Sequence, residues 1–126
     1  MAHAPGPVPA AAAVTAQLVE ETLESAVPEY TAWLRETAEW RWELDDQGRV
    51  FLLLEHLRLW LFELGRGQDE VRARAWTAVE TLAPTTDPLL LNALMVGLLE
   101  GRWHRRDRKL MGPRTRALYA EMMAPD

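Results

Sequence analysis

The side chains with chemical potential are few and scattered. Three histidines, His3, His56 and His104, lie too far apart for a helical ligand pair, and none belongs to an HExxH zinc site. His56 follows Glu55, the order of a general base beside a carboxylate, but helical neighbours at i and i+1 do not face each other. A hydrogen-bonded structural histidine is the better reading. The single serine, Ser25, lacks the glycine-flanked elbow that presents a nucleophile. Cysteine is absent, which removes thiolate nucleophiles, thiolate zinc sites and disulfides. Gly65-Arg66-Gly67 fits neither a dinucleotide fingerprint nor a phosphate loop, and Asp45-Asp46-Gln47-Gly48 lacks the twelve-residue calcium pattern and reads as a turn.

One carboxylate site is conceivable. Glu55 and Glu63 lie on one apolar segment and Glu100 near the end of another, so the three could converge inside a bundle as an enzymatic centre. Without the Glu-x-x-His pairs of di-iron bundles, capping or ion pairing with Arg58 fits them better. The sequence therefore leads us to expect no catalytic residue, no cofactor and no metal site, with the carboxylate enzyme as a remote alternative.

Charge is more informative. From Glu20 to Asp46 there are nine acids and two arginines, a local charge of −7; from Arg102 to Arg116 there are seven bases and one aspartate, a local charge of +6. In the acidic part Trp40 and Trp42 are flanked by Glu36, Glu39, Glu43, Asp45 and Asp46, an arrangement suited to a basic protein partner. In the basic part Arg102, Arg105, Arg106 and Arg108 surround Trp103, and could bind single-stranded nucleic acid with the indole stacking on bases. A net charge of −5 and a pI of about 5.2 argue against that second use, and favour a basic loop that pairs with the protein's own acidic helices. Thirteen of the fourteen bases are arginine, a bias to which GC-rich coding would also lead, so it carries little functional weight.

The elements that position these groups follow from periodicity. A chain of 126 residues, 48% hydrophobic and 26% charged, is the size and composition of one globular domain. Residues 1–12, rich in Pro and Ala, read as a flexible leader without the features of an export signal; residues 13–123 read as one helical domain and 124–126 as a frayed tail. Apolar residues at three- and four-residue spacing predict a helix from Ala13 to Val27, and Pro28 opens a second helix reaching about Glu39. Over Trp40–Gly48 a helix-turn-helix is preferred to a short β-hairpin, because the following Leu-rich run from Val50 to Leu64 is too long for a strand.

That run, Arg49–Leu64, is apolar nearly all round and belongs in the middle of a bundle. Gly65-Arg66-Gly67 ends it. Asp69 and Glu70 open the next helix, with Val71, Ala75, Ala78, Val79 and Leu82 inward and Arg72, Arg74 and Glu80 facing out. Asp87-Pro88 caps a helix from Leu89 to about Glu100, whose Gly97 and Gly101 allow close packing, and Gly112-Pro113 starts a last helix with Ala117, Leu118 and Met122 on one face. The expectation is an all-α, compact antiparallel array of about six helices, possible as stacked helix pairs, with no span long enough for a bilayer. A cytoplasmic location fits the missing cysteines and signal.

The order of features also resembles a family of small, all-helical, largely uncharacterised bacterial proteins that includes immunity-like proteins of toxin systems. The resemblance runs over about residues 17–123 and rests on Val27-Pro28-Glu29, the tryptophan-bearing second helix, Ala78-Val79-Glu80-Thr81-Leu82-Ala83, Gly97-Leu98-Leu99-Glu100 and Leu110-Met111-Gly112-Pro113. It implies a non-enzymatic interaction module whose protein partner is a toxin, and it marks no binding residues.

Overall fold

Thr15 opens the first helix: its Oγ1 accepts the Leu18 N–H at 3.2 Å, satisfying one of the donors that a helix start leaves unpaired. The computed structural model describes residues 15–124, so the leader expected over 1–12, the first two residues of the helix expected from Ala13 and the last two of the tail lie outside the described residues. Helix α1 spans Ala16–Ala26 and buries Ala16, Val19 and Leu23, while Leu18, at the same three- and four-residue spacing, stays 40% exposed. It stops before Pro28, whose ring disfavours helical backbone in the residue ahead of it, and Pro28 then occupies the first turn of α2 (Pro28–Thr37).

Helix α2 ends two residues earlier than its periodicity suggested. Ala38 is fully buried and donates its N–H to Leu34 O at 2.7 Å, and the chain then tightens into a 3₁₀ turn over Glu39–Glu43. Asp45 Oδ1 accepts the Gly48 N–H at 2.8 Å, so α3 starts at Asp46 and runs to Glu63. This cap consumes the residues a hairpin would need, and there is no strand among the described residues.

Gly67, at φ +85, makes the reversal after α3, a conformation glycine adopts without steric cost. Helix α4 spans Asp69–Leu82 with two acids in its first turn. Asp87 Oδ1 then accepts the N–H groups of Leu89 (2.9 Å) and Leu90 (3.2 Å), capping α5 (Pro88–Asn92) as expected. The helix continues to Leu99, but Ala93–Leu99 is wound as a π-helix. Within it Gly97 faces α3: a Cβ there would lie 3.5 Å from the Phe51 ring and 3.6 Å from the Glu55 backbone nitrogen. Gly101, at φ +89, ends the segment. A one-turn helix α6 (Arg105–Arg108) interrupts what was expected as loop, and α7 spans Pro113–Met123. The described residues thus hold seven α-helices rather than about six.

Helix α1 packs on α2, α3 and α4; α3 packs also on α5 and most extensively on its π-helical extension; and α7 closes against that extension and α4. The core runs through Val19, Leu23, Leu34, Leu53, Leu57, Trp76, Leu94 and Leu98. Helix α3 is less enclosed than its composition suggested, because Leu59 and Phe62 remain about half exposed along its outer edge. On α7 the buried side chain is Thr115, with Leu118 and Met122 half-buried and Ala117 exposed. No helix of the described residues is long and apolar enough to cross a membrane.

The clearest departures from the sequence reading are on α4, where Arg72, Arg74 and Glu80 were expected outside. Arg72 is 1% exposed. Its Nη1 donates to Leu61 O (3.2 Å) and Asp107 Oδ1 (3.1 Å) and its Nη2 to Leu64 O (3.3 Å), so one guanidinium occupies carbonyls left open at the end of α3 and neutralises the aspartate of α6. Trp76 Nε1 donates to the same Asp107 oxygen at 3.0 Å. Arg74 grips Glu29 of α2 with two hydrogen bonds, at 3.0 and 2.7 Å.

Glu80 reaches across to α7, where its carboxylate accepts the N–H of Arg114 (3.1 Å), the N–H of Thr115 (3.0 Å) and the Thr115 hydroxyl (2.8 Å). Burial alone would raise the Glu80 carboxyl, but the three hydrogen bonds outweigh it and hold its pKa below the usual range. Gly112 sits beneath that carboxylate, and a Cβ there would collide with it. Sequence periodicity assigned these three side chains by angle alone, whereas their length lets them reach backbone groups that lie far away in sequence.

Candidate partner-binding face

Within the 3₁₀ turn the ordinary rule of burial is inverted: the charge is inside and the tryptophans are outside. Arg41 is only 5% exposed; its Nη1 donates to Ala38 O at 3.4 Å and its Nε lies 3.7 Å from Glu20 Oε1. This anchors the turn on α1 and swings its neighbours outward. Trp40 is 48% exposed and Trp42 63%, whereas Trp60, Trp76 and Trp103 are buried and Trp33 is half-buried. Burying a large apolar side chain is worth about 1.5–3 kcal/mol, so half-exposure leaves about 1 kcal/mol unrealised at each indole.

Both rings are nevertheless held. Trp40 meets the His56 ring edge-on at 6.3 Å, and His56 contacts Trp33 at 6.2 Å, so a chain of tilted and edge-on rings leads from the core Trp60 and Tyr30 to the surface. His56 Nδ1 lies 3.2 Å from Leu52 O, the structural role expected of it, with Glu55 farther away at 3.9 Å. Trp42 carries the guanidinium groups of Arg41 and Arg49 over its ring, at 4.7 and 5.0 Å. Rigid aromatics of this kind lose little side-chain entropy when a partner covers them.

Around them Glu36, Glu39, Glu43 and Asp45 are exposed and form no ion pair among the described residues. Asp46 is more occupied. Its Oδ1 accepts the Ala16 N–H at 3.0 Å and lies 3.6 Å from Arg49, tying the start of α1 to α3. Of the other acids of this stretch, Glu20, Glu24 and Glu29 are each paired with an arginine, and Glu21 is exposed. Arg35 pairs with Glu24 at 2.7 Å, and the Thr31 hydroxyl donates to Glu24 at 2.6 Å; this hydroxyl first, and then Arg35, hold the Glu24 pKa below the usual range. The Arg74 hydrogen bonds lower Glu29 to about 2. A cleft of about 190 Å³ separates α1 from the turn, walled by Glu20, Glu21, Glu24, Arg35, Trp42 and Arg49. Sequence reading missed Arg41, Arg49 and this cleft, since only the fold brings α1 beside the turn.

The other sequence-derived candidates fare differently. Glu55, Glu63 and Glu100 are each on the surface, and no cluster of three acidic or histidine side chains capable of holding a metal forms among the described residues. Arg58, expected to pair with them, lies over the Phe62 ring at 5.4 Å. Trp103, expected as a stacking surface, is 3% exposed: its Nε1 donates to Leu98 O at 3.1 Å, and it packs against Phe62 (4.6 Å) and Trp76 (5.0 Å).

Among the described residues the basic segment forms no ion pair with the acidic helices either. Their arginine partners are Arg35, Arg41, Arg49 and Arg74, while within the basic segment Arg106 approaches only Asp107, at 4.0 Å. The cause is visible in the sequence: Trp103, Asp107 and Met111 recur every four residues and all three are buried, which turns Arg102, Arg105, Arg108 and Lys109 outward. No protein-family model, curated protein or solved structure matches this chain.

Proposed function

We propose that this chain is a protein-interaction module that presents the Trp40–Trp42 turn and its acids to a basic protein partner, in the manner of an immunity or antitoxin-like protein that blocks a toxin. The observation that carries the reading is the pair of exposed tryptophans on a turn anchored by a buried arginine, ringed by Glu36, Glu39, Glu43 and Asp45. Aromatic anchors inside a charged rim are the recurrent composition of energetic centres at interfaces, and unpaired acids accelerate encounter with a cationic surface. The role is binding rather than catalysis, because the side chains able to do chemistry are dispersed or already engaged in the fold, and the proposed setting, a bacterial cytoplasm, rests on the family resemblance and the absence of cysteine.

Co-expression with the product of the adjacent gene tests it. If that product is toxic, the chain restores growth, and a Trp40→Ala, Trp42→Ala, Glu39→Arg, Glu43→Arg variant of unchanged stability does not. Equal protection by the variant would refute the assignment of this face.

A further inference from the structure

The acidic face leaves a second surface unexplained. Arg102, Arg105, Arg108, Lys109, Arg114 and Arg116 are all exposed, on and around α6 and the first turn of α7. A flexible basic loop would be unremarkable, but this one is fixed from beneath. Asp107 is locked to Arg72 and Trp76, Trp103 is bonded to Leu98 O, and the Trp103 N–H donates to Tyr119 Oη at 3.0 Å. Between these anchors lies a cleft of about 350 Å³ lined by Arg102, Arg108, Tyr119, Met123 and the edge of Trp103.

We infer that this cleft and the cations around it bind single-stranded nucleic acid, with phosphates on Arg102 and Arg108 and a base against Tyr119 and Met123. Guanidinium forks match phosphate oxygens two at a time, and holding them on a packed scaffold lowers the entropy lost on binding. The cleft is of the size that receives a small organic group, and its aromatic and thioether lining suits the flat face of a base more than a carboxylate side chain. The net charge of −5 does not oppose this, because at physiological salt the Debye length is only about 8 Å and acids farther from the cleft than that are largely screened. The buried indole of Trp103 has no stacking role; it is the floor.

Fluorescence anisotropy of the full chain with a labelled twelve-nucleotide oligo-dT tests the inference. Binding is expected at 50 mM salt and should weaken by roughly 50-fold at 200 mM, the consequence of about four phosphate contacts at a slope of about −0.7 each. Arg102→Glu with Arg108→Glu should weaken binding at least ~10-fold, and the milder Arg102→Gln with Arg108→Gln should fall between it and the parent, each checked for an unchanged melting temperature. Glu39→Arg with Glu43→Arg should not weaken it, which separates this surface from the acidic face. Absence of binding at 50 mM salt, indifference to both arginine pairs, or equal affinity for an abasic strand of the same length would overturn the proposal. Displacement by polyglutamate as effective as that by unlabelled oligo-dT would also overturn it, in favour of an acidic protein.

Discussion

Replacing Gly112 by alanine should destabilise the protein, and the same replacement should become mildly stabilising once Glu80 is gone. Gly112 has φ −74 and ψ 174, which alanine adopts without strain, so the backbone offers no objection. The obstacle is the Glu80 carboxylate: the added methyl would strike its carboxyl carbon and Oε1 and lie 2.7 Å from Cγ. Moving the carboxylate aside forfeits its bonds to Arg114 N, Thr115 N and Thr115 Oγ1. At about 1 kcal/mol each the loss is about 3 kcal/mol. The reduced freedom of the unfolded chain returns about 0.5 kcal/mol, leaving a net cost of about 2–3 kcal/mol. In a domain of this size that lowers the melting temperature by about 8–12 °C.

In a Glu80→Ala background the collision is absent, so Gly112→Ala should raise stability by about 0.5 kcal/mol. Urea unfolding of the four proteins gives the coupling energy directly, expected at about 3 kcal/mol. A cost for Gly112→Ala that is the same in both backgrounds would refute the reasoning, because it would place the constraint in the backbone rather than in the carboxylate.

Three further outcomes are expected. The folded-state pKa values of Glu24, Glu29 and Glu80 are all lowered, so their contribution is present above the unfolded value of about 4.3 and is lost as pH falls through the folded values, about 2 for Glu29. The melting temperature should therefore decline as pH falls from about 5 toward 2, and less steeply in Glu29→Gln, as read by circular dichroism. Asp107→Asn leaves the Arg72 charge buried without its counter-charge and should cost about 3–5 kcal/mol in urea unfolding, more than Arg72→Met with Asp107→Leu together. Steady-state quenching should find two accessible indoles among the six, quenched more by cesium than by iodide because of the surrounding acids, and Trp40→Phe with Trp42→Phe should remove that fraction.

What could be seen in the sequence was whatever local chemistry determines. Asp87-Pro88 announces a helix start because cap and first turn are adjacent, and Gly112-Pro113 does the same for α7. The acids flanking Trp40 and Trp42 were likewise a sound indication of an outward-facing turn, since their solvation demands keep the segment at the surface. Arg72 was misplaced because its partner Asp107 is 35 positions away and the carbonyls it fills belong to another helix. Arg41 was overlooked for the same reason: Glu20, which draws it inward, lies on α1. Trp103 was the recoverable error, given its four-residue register with Asp107 and Met111 and the anomaly of one aspartate among seven bases.

The immobilised chain can be used to capture proteins from its host, with wild type, the Trp40→Ala, Trp42→Ala, Glu39→Arg, Glu43→Arg variant and the Arg102→Glu, Arg108→Glu variant compared side by side by quantitative mass spectrometry. If the acidic tryptophan face is the working surface, a basic protein is retained by wild type and by the arginine variant and is lost from the acidic-face variant. Equal retention of that protein on all three columns, or its loss only with the arginine variant, would contradict the account.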